Sequence, residues 1–255
     1  YVDLAEITEK RRPLPEEHYW WHRNDFLKFI DQNHKFIMEI GFGGCDSLKE
    51  LNKYLPAGWN FKDDKYWSCH SYPTEDGRTA GIDYLFEGVE NSNEELVSAS
   101  GAYQAEAYKY IVERSRIRPY FNGICLWNYR DGFPIFSSAL VGYDGDKRPA
   151  YFAVKNSYEP VQCIMRYENG KVEVYIVNDT SFEGKVGLKL SNASKKEIEI
   201  KANDILLVDT VSCGENELIT SELNVNGKTV KNYLYAYSEK IDYPTYKKLS
   251  GNKDE

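Results

Sequence analysis

The sequence lacks the features that mark several classes of protein. It has no apolar run of about 18 residues, the length that a membrane-spanning helix needs, and its N-terminal stretch has no apolar core of the signal-peptide kind. Its 32 basic residues are outnumbered by 40 acidic ones, for a net charge of −8. Because binding duplex nucleic acid requires clustered Lys and Arg, we expect neither a membrane span nor a nucleic-acid partner.

Cysteine and histidine are also scarce. The five cysteines are odd in number, widely spaced and without a C-x-x-C pair, which disfavours a disulfide framework or a zinc knuckle and favours free buried thiols. His18 and His22 could face one metal on a helix, but no third ligand and no H-E-x-x-H glutamate accompany them. The sequence therefore predicts no metal and no cofactor. Reduced cysteines favour a cytoplasmic setting, with a periplasmic or secreted parent protein as the alternative.

Aromatic residues, in contrast, are abundant: 21 Tyr, 11 Phe and 5 Trp occur in a chain with only 2 Met. The hydrophobic content of 42% is too high for a disordered chain. Aromatic side chains stack on the apolar faces of sugar rings, but they are also common in cores and β-sheets. Composition alone does not choose between these roles.

Up to about residue 160, helical patterns alternate with short apolar runs, as in βα units on a parallel sheet. The apolar run at 35–40 predicts a strand buried on both faces, and Gly41 ends it. The other predicted elements are a helix at 47–55, an irregular segment at 56–92, a helix at 93–118 interrupted near Gly101, a strand at 123–129 and a helix at 149–159.

Beyond residue 160 the pattern changes to two-residue alternation with turn signals, such as Asn169-Gly170 between two apolar runs. This predicts an Ig-like β-sandwich of about 90 residues, and the polar stretch 240–255 is expected to fray. The predicted fold class is therefore α/β plus all-β, with one domain at 1–160 and a second at 161–255.

Two residues at predicted strand ends are candidates for chemistry. Glu39 is an ionisable group inside an apolar run, at the end of a parallel strand, where α/β barrels place catalytic groups; an ordinary salt-bridged glutamate is the alternative. Trp127 ends the next predicted parallel strand and could form the floor of a sugar subsite or be a core aromatic. The cluster at 18–22, with His18 and Trp20, is typical of an aromatic loop at the rim of a cleft.

At these residues the sequence resembles glycoside hydrolase family 2, the β-mannosidase, β-galactosidase and β-glucuronidase group. FIMEIGFGG at 36–44 is similar to the family's nucleophile strand, and QAEAYKYIVE at 104–113 resembles the helix before the last barrel strand. The stretch from GICLWNYRDGFP to YEPV, at 123–161, is similar to that last strand and its helix. The resemblance implies that residues up to about 160 are the C-terminal part of a TIM (β/α)8 barrel and that the sandwich is the domain following it.

The resemblance also implies roles for single residues. Glu39 matches the catalytic nucleophile of a retaining β-glycosidase, Trp127 the aromatic of the last strand, and Asp131 the acidic residue after it. His18 and Trp20 resemble a loop that approaches the substrate. Retaining hydrolysis needs a second, protonated carboxyl group about 5.5 Å from the first, which in this family is a Glu after an Asn, N-terminal to the nucleophile.

No Asn-Glu pair precedes Glu39, and the pairs at Asn93 and Asn216 follow it. We therefore expect the acid/base to lie upstream and this fragment alone to be inactive. The alternatives are a non-catalytic carbohydrate-binding or structural module and a catalytically degenerate homologue. The expected partners are a carbohydrate substrate and, because part of a barrel leaves strands with open edges, a second copy of the chain unless the loop with Trp59 and Trp67 covers those edges.

Overall fold

The computed structural model describes residues 25–29, 35–67, 69–71, 77–237 and 239–250. The helices are α1 (Phe26–Phe29), α2 (Leu48–Tyr54), α3 (Ala80–Leu85), α4 (Asn93–Arg116), α5 (Pro149–Ser157) and α6 (Tyr243–Ser250), with a 3-10 turn at Asp64–Tyr66. The strands are β1 (Phe36–Ile40), β2 (Phe86–Glu87), β3 (Gly123–Leu126), β4 (Val161–Glu168), β5 (Lys171–Asn178), β6 (Gly184–Leu190), β7 (Ala193–Ile200), β8 (Asp204–Ser212), β9 (Glu217–Val225), β10 (Lys228–Ala236) and β11 (Ile241–Asp242). None of the described helices is both long and apolar enough to cross a membrane.

The first part of the chain is a mixed α/β unit in which β1 and β3 pair in parallel. The prediction that β1 is buried on both faces is wrong. Ile37 and Ile40 are buried, but Phe36 is 43% and Met38 57% exposed. The physical reason is that, within the described residues, this sheet has only two strands and no layer covers those two side chains.

Helix α4 is the central element of this unit. Its first turn is capped by the Ser92 hydroxyl, which accepts the Glu95 N–H, and its many buried residues include Tyr103 and Tyr108. The predicted interruption at Gly101 is wrong, since the helix is continuous. A Cβ at Gly101 would lie 3.2 Å from Pro149 Cγ, so the glycine lets the first turn of α5 pack closely against α4.

The long segment between α2 and α4 is ordered by packing of aromatic rings. The Trp67 ring makes edge-to-face contacts with Trp59 at 5.7 Å and Phe61 at 5.6 Å, and the Arg78 guanidinium lies over it at 4.7 Å. All three aromatic side chains belong to the first hydrophobic core. This position favours a core role for Trp59 and Trp67 over covering the strand edges.

Residues 161–236 form two antiparallel sheets, ordered β4-β5-β8 and β10-β9-β6-β7. Their facing side chains make a second hydrophobic core that includes Val174, Leu188 and Leu223. The predicted turn between β4 and β5 is present, and Asn169 and Gly170 both have positive φ, as a tight hairpin requires.

The prediction of a frayed end is wrong for residues 241–250. Strand β11 pairs in parallel with β2, and α6 places Tyr243 and Tyr246 against Phe86 at 5.0 and 5.2 Å between ring centroids. These two aromatics lie three residues apart on one face of the helix, so the polar composition around them is compatible with docking on the first core.

A buried polar network joins the two cores. Glu113 on α4 accepts hydrogen bonds from Lys109 at 2.6 Å, Ser157 at 3.2 Å and the Asn232 side chain at 3.0 Å. Asn232 also donates to the Cys163 carbonyl at 2.8 Å. Because β10 supplies Asn232 and β4 supplies Cys163, the network ties both sheets to α4.

Candidate functional site

Glu39 and Trp127 occupy the carboxyl ends of neighbouring parallel strands. Ile40 pairs with Leu126, and the Trp127 N–H donates to the Ile40 carbonyl at 2.8 Å. Glu39 is half-buried and Trp127 is 44% exposed. Trp127 is therefore an exposed indole beside the end of β1 and not a core aromatic. The peptide bond between Trp127 and Asn128 is cis.

The glycines after β1 allow this close approach of the two strand ends. A Cβ on Gly41 would lie 2.5 Å from the Trp127 carbonyl oxygen and 2.6 Å from Ser138 Cβ. A Cβ on Gly44 would lie 2.7 Å from the Gln104 amide carbon. A side chain at Gly41 would push apart the loops that follow β1 and β3, and one at Gly44 would displace the loop after β1 from α4.

Two side chains of α4 hold those loops through their backbone groups. The Tyr108 hydroxyl lies 2.9 Å from the Trp127 carbonyl oxygen and 2.8 Å from the Ser138 carbonyl oxygen, so its proton can be donated to either. The Gln104 side-chain NH₂ donates to the Phe42 carbonyl at 2.8 Å. Burial raises the pKa of Tyr108, so this hydroxyl remains a donor across the physiological pH range.

Arg148 is the main buried connection between the two loops. Its side chain is almost fully buried, and it donates to Asp46 in the loop after β1 at 2.9 Å and to Asp131 in the loop after β3 at 2.7 Å. The remaining donors contact the Ser137 hydroxyl at 3.2 Å and four backbone carbonyls, those of Gly44, Ile135, Ser137 and Ala139. A planar guanidinium can satisfy this many acceptors at once, whereas an ammonium group cannot.

Asp131 is part of this connection. Its carboxylate is buried and accepts hydrogen bonds from the Ser137 hydroxyl at 2.7 and 2.9 Å in addition to the Arg148 contact. Burial raises the pKa of Asp131, and the nearby Arg148 charge partly offsets that rise. This geometry favours a role in holding the loop, and direct contact of Asp131 with a substrate stays a prediction.

The loop that begins at Trp127 carries further exposed aromatics. Tyr129 and Phe133 both lie largely in solvent, while the backbone around them is fixed by the Tyr129 carbonyl accepting the Val141 N–H at 2.9 Å. An exposed indole and a half-buried carboxylate on a rigid frame can provide a sugar-stacking surface beside a nucleophile. Within the described residues, no three His, Cys, Asp or Glu side chains are grouped as metal ligands.

The described residues include three of the five site residues predicted from the sequence. Glu39 and Trp127 lie at adjacent strand ends and Asp131 lies in the loop after β3, whereas His18 and Trp20 lie outside the described residues. Sequence reasoning missed Arg148, Asp46, Gln104 and Tyr108. The signal that could have pointed to a crowded loop was the glycine run at 41–44, since closely spaced glycines often mark backbone contact.

No family model and no curated protein sequence matches the chain. Solved structures of known proteins do match its fold. The β-D-mannosidase from Dictyoglomus thermophilum superimposes with a TM-score of 0.73 at 20% identity, over 88% of this chain and 30% of that one. The exo-chitosanase of Amycolatopsis orientalis gives 0.63 at 16% identity, over 87% and 30%, and its complex with PNP-β-D-glucosamine gives 0.62 at 15%, over 82% and 29%.

The chain therefore spans less than a third of the length of the enzymes it resembles. Its mixed α/β and β-sheet structure matches their C-terminal region. These neighbours are β-glycosidases of family 2, so the resemblance drawn from the sequence is confirmed for the fold.

Proposed function

We propose that this chain is the C-terminal part of a retaining β-glycosidase of glycoside hydrolase family 2. Residues up to about 160 would be the end of a (β/α)8 barrel, with β1 and β3 as its last strands, and residues from 161 would be an Ig-like sandwich. The parallel pairing of β1 with β3 and the fold similarity to two β-glycosidases support this assignment.

In this proposal Glu39 is the nucleophile. Its carboxylate attacks the anomeric carbon and forms a glycosyl ester, while a protonated carboxyl group on an earlier barrel strand, beyond these residues, donates its proton to the leaving oxygen. The same group then removes a proton from the water that cleaves the ester. Among the roles that the resemblance implies, Trp127 would stack on the sugar, and Asp131, His18 and Trp20 would contact the substrate.

The observation that carries the proposal is the position of Glu39 and Trp127 at adjacent strand ends. The backbone of Trp127 is fixed by hydrogen bonds to Ile40 and Tyr108, so a sugar ring stacked on the exposed indole would lie beside the end of β1. Preorganisation of this kind, with little movement left to the catalytic groups, is what covalent catalysis requires.

The test uses the polypeptide that contains the complete barrel and aryl β-glycosides as substrates. Glu39→Gln should lower kcat about 10⁴-fold or more, the scale expected when a covalent nucleophile is removed, while circular dichroism stays unchanged. Glu90→Gln, at an exposed loop position, is the matched control. Turnover retained in Glu39→Gln would contradict the proposal.

The 255-residue chain alone should not hydrolyse these substrates, because its acid/base partner would be absent. Hydrolysis by the chain that disappears in Glu39→Gln would show that a second acid lies within these residues.

A non-catalytic carbohydrate-binding module is the second candidate, and the exposure of Trp127 and Tyr129 favours it. Calorimetric titration of the chain with mannose-, galactose- and glucuronate-type ligands separates the two proposals. Specific binding by the chain alone, combined with an inactive complete polypeptide, would support the binding module or a degenerate homologue.

A further inference from the structure

A groove of about 970 Å³ lies where the first core meets the sandwich. Its walls come from α4, α5, α6 and the strands β9 and β10, and it shares no lining residue with the strand-end site of Glu39 and Trp127. Ligand sites typically enclose about 300 to 1,000 Å³. The groove is therefore large enough for an oligomeric ligand.

The sheet wall of the groove is polar. Along β9 and β10 the side chains alternate between the sandwich core and the outside, which places Thr220 and Glu222 in the groove together with Lys231 and Tyr233. Glu222 lies opposite Lys231 in the sheet and also pairs with Lys189 at 3.4 Å. The Glu222 carboxylate is thus paired with Lys189, and the positive charge of Lys231 on this wall is left without a paired carboxylate among the described residues.

The helix wall is apolar. Phe152 is 57% exposed and lines the groove beside Ala102 and Ala153. An exposed phenyl ring flanked by small residues presents a flat apolar surface, the type of surface on which a sugar ring stacks. The Asn156 amide lies on the same wall and provides hydrogen-bonding capacity next to the ring.

The cationic groups of the groove divide into two kinds. Lys109 pairs with Glu113, and Lys247 pairs with Glu95, so their charges are neutralised locally. Lys147 and Lys231 are exposed, and neither forms an ion pair with any described residue.

The Lys147 ammonium lies over the Tyr151 ring at 4.8 Å. In a chain with a net charge of −8, two lysines without an ion pair give the groove a local positive charge that attracts anions.

We propose that this groove binds an acidic oligosaccharide, with a sugar-ring face on Phe152 and carboxylates at Lys147 and Lys231. An acidic peptide would satisfy the lysines equally well, but the flat phenyl surface beside hydroxyl and amide groups fits sugar rings better. The site is separate from Glu39, so its occupancy does not depend on the proposed glycosidase chemistry.

Isothermal titration of the 255-residue chain with tri-galacturonate tests this inference. Lys147→Glu and Lys231→Glu should each weaken binding about threefold or more, as expected for solvent-exposed charge contacts, and Phe152→Ala should weaken it further. Lys62→Glu, at an exposed turn outside the groove, carries the same charge change and should bind as the unaltered chain does. All four positions tolerate substitution because they are exposed, and circular dichroism checks that each variant is folded.

Saturable binding that falls with added salt, is weakened in the groove variants and is unchanged in Glu39→Gln would support the proposal. The methyl-esterified trisaccharide, which lacks the charges, should bind at least tenfold more weakly. Absence of saturable binding, or binding unchanged in the groove variants, would overturn the proposal. Equal binding of poly-glutamate would overturn it in favour of an acidic peptide ligand.

Discussion

Replacing Arg148 with Met should destabilise the first core more than any other single change at the candidate site. Methionine keeps an apolar stem of similar length, but it leaves the Asp46 and Asp131 carboxylates, at 4% and 6% exposure, buried without a cation. Removing one partner of a buried ion pair costs about 3–5 kcal/mol. With a urea dependence of about 2 kcal/mol per molar, a loss of ~4 kcal/mol lowers the unfolding midpoint by about 2 M.

Tryptophan fluorescence is a selective assay for this effect. Trp59 and Trp67 are buried in the first core and no tryptophan follows residue 127, so the change in their emission follows unfolding of the α/β unit and not of the sandwich. Arg130→Ala is the matched control, because Arg130 lies in the same loop but is exposed, and among the described residues its side chain donates one hydrogen bond, to the Tyr143 carbonyl at 2.8 Å. We expect the free energy of unfolding to change by about 0.5 kcal/mol in this control variant.

The pH dependence provides an independent check. Burial raises the pKa of Asp131 even beside Arg148, and removing the arginine should raise it further. A carboxyl group whose pKa is higher in the folded state than in the unfolded state has its full stabilising effect below the unfolded pKa, and this effect is lost as pH rises through the folded-state pKa. The loss of unfolding free energy caused by Arg148→Met should therefore become smaller as pH falls from 7 towards 4. A loss of unfolding free energy below about 1 kcal/mol, or a loss that does not depend on pH, would refute the claim that Arg148 stabilises the fold by neutralising buried carboxylates.

Three further predictions follow from the described contacts. Gly81→Ala should destabilise the first core by about 1–3 kcal/mol, because its Cβ would lie 2.3 Å from the Tyr103 ring; urea unfolding measures this. Hydrogen bonding, chiefly from Tyr54, lowers the pKa of Asp144 from 3.8 to about 2. The stabilising effect of the ionised Asp144 is therefore present above pH 3.8 and is lost as pH falls through about 2. The difference in unfolding free energy between the unaltered chain and Asp144→Asn should vanish over the same pH range. Met38→Lys should abolish any self-association of the chain in sedimentation, because it places a charge on the exposed sheet face.

Each of these predictions has a control or an opposing outcome. Gly132→Ala adds a Cβ with no heavy atom within 4 Å, so its stability should be unchanged, and an equal loss in both glycine variants would contradict the packing argument. An Asp144→Asn difference that persists at pH 2 would show that the stabilisation is not electrostatic. A concentration-independent monomer of the unaltered chain would exclude pairing through the open strands.

Local patterns were sufficient to predict much of the fold. The helix α2, the start of α5 at Pro149 and the Asn169-Gly170 hairpin depend on neighbouring residues, and the structure has all three. The continuity of α4 was missed because the intrinsic cost of glycine in a helix is small beside the packing that Gly101 permits. The end at 241–250 was missed because its two buried tyrosines contact residues far away in sequence.

In the candidate site, too, local patterns predict some residues and miss others. The strand-end positions of Glu39 and Trp127 were predictable because an ionisable or aromatic residue at the end of an apolar run stands out locally, while their chemical roles stay predictions. Arg148 was not, since its partners Asp46 and Asp131 lie 102 and 17 residues away and no local pattern joins them. The exposure of Phe36 and Met38 was also unpredictable. An apolar run indicates that a strand can be buried, but it does not show whether another layer packs against that strand.

The most direct test of the central claim is covalent trapping of the nucleophile. The polypeptide with the complete barrel is incubated with a panel of 2-deoxy-2-fluoro-β-glycosyl fluorides, digested with trypsin and examined by mass spectrometry. We expect one glycosyl adduct, on the peptide 36–49 and within it on Glu39, and none in Glu39→Gln. An adduct on another carboxylate, in an enzyme that turns over substrate, would contradict the account.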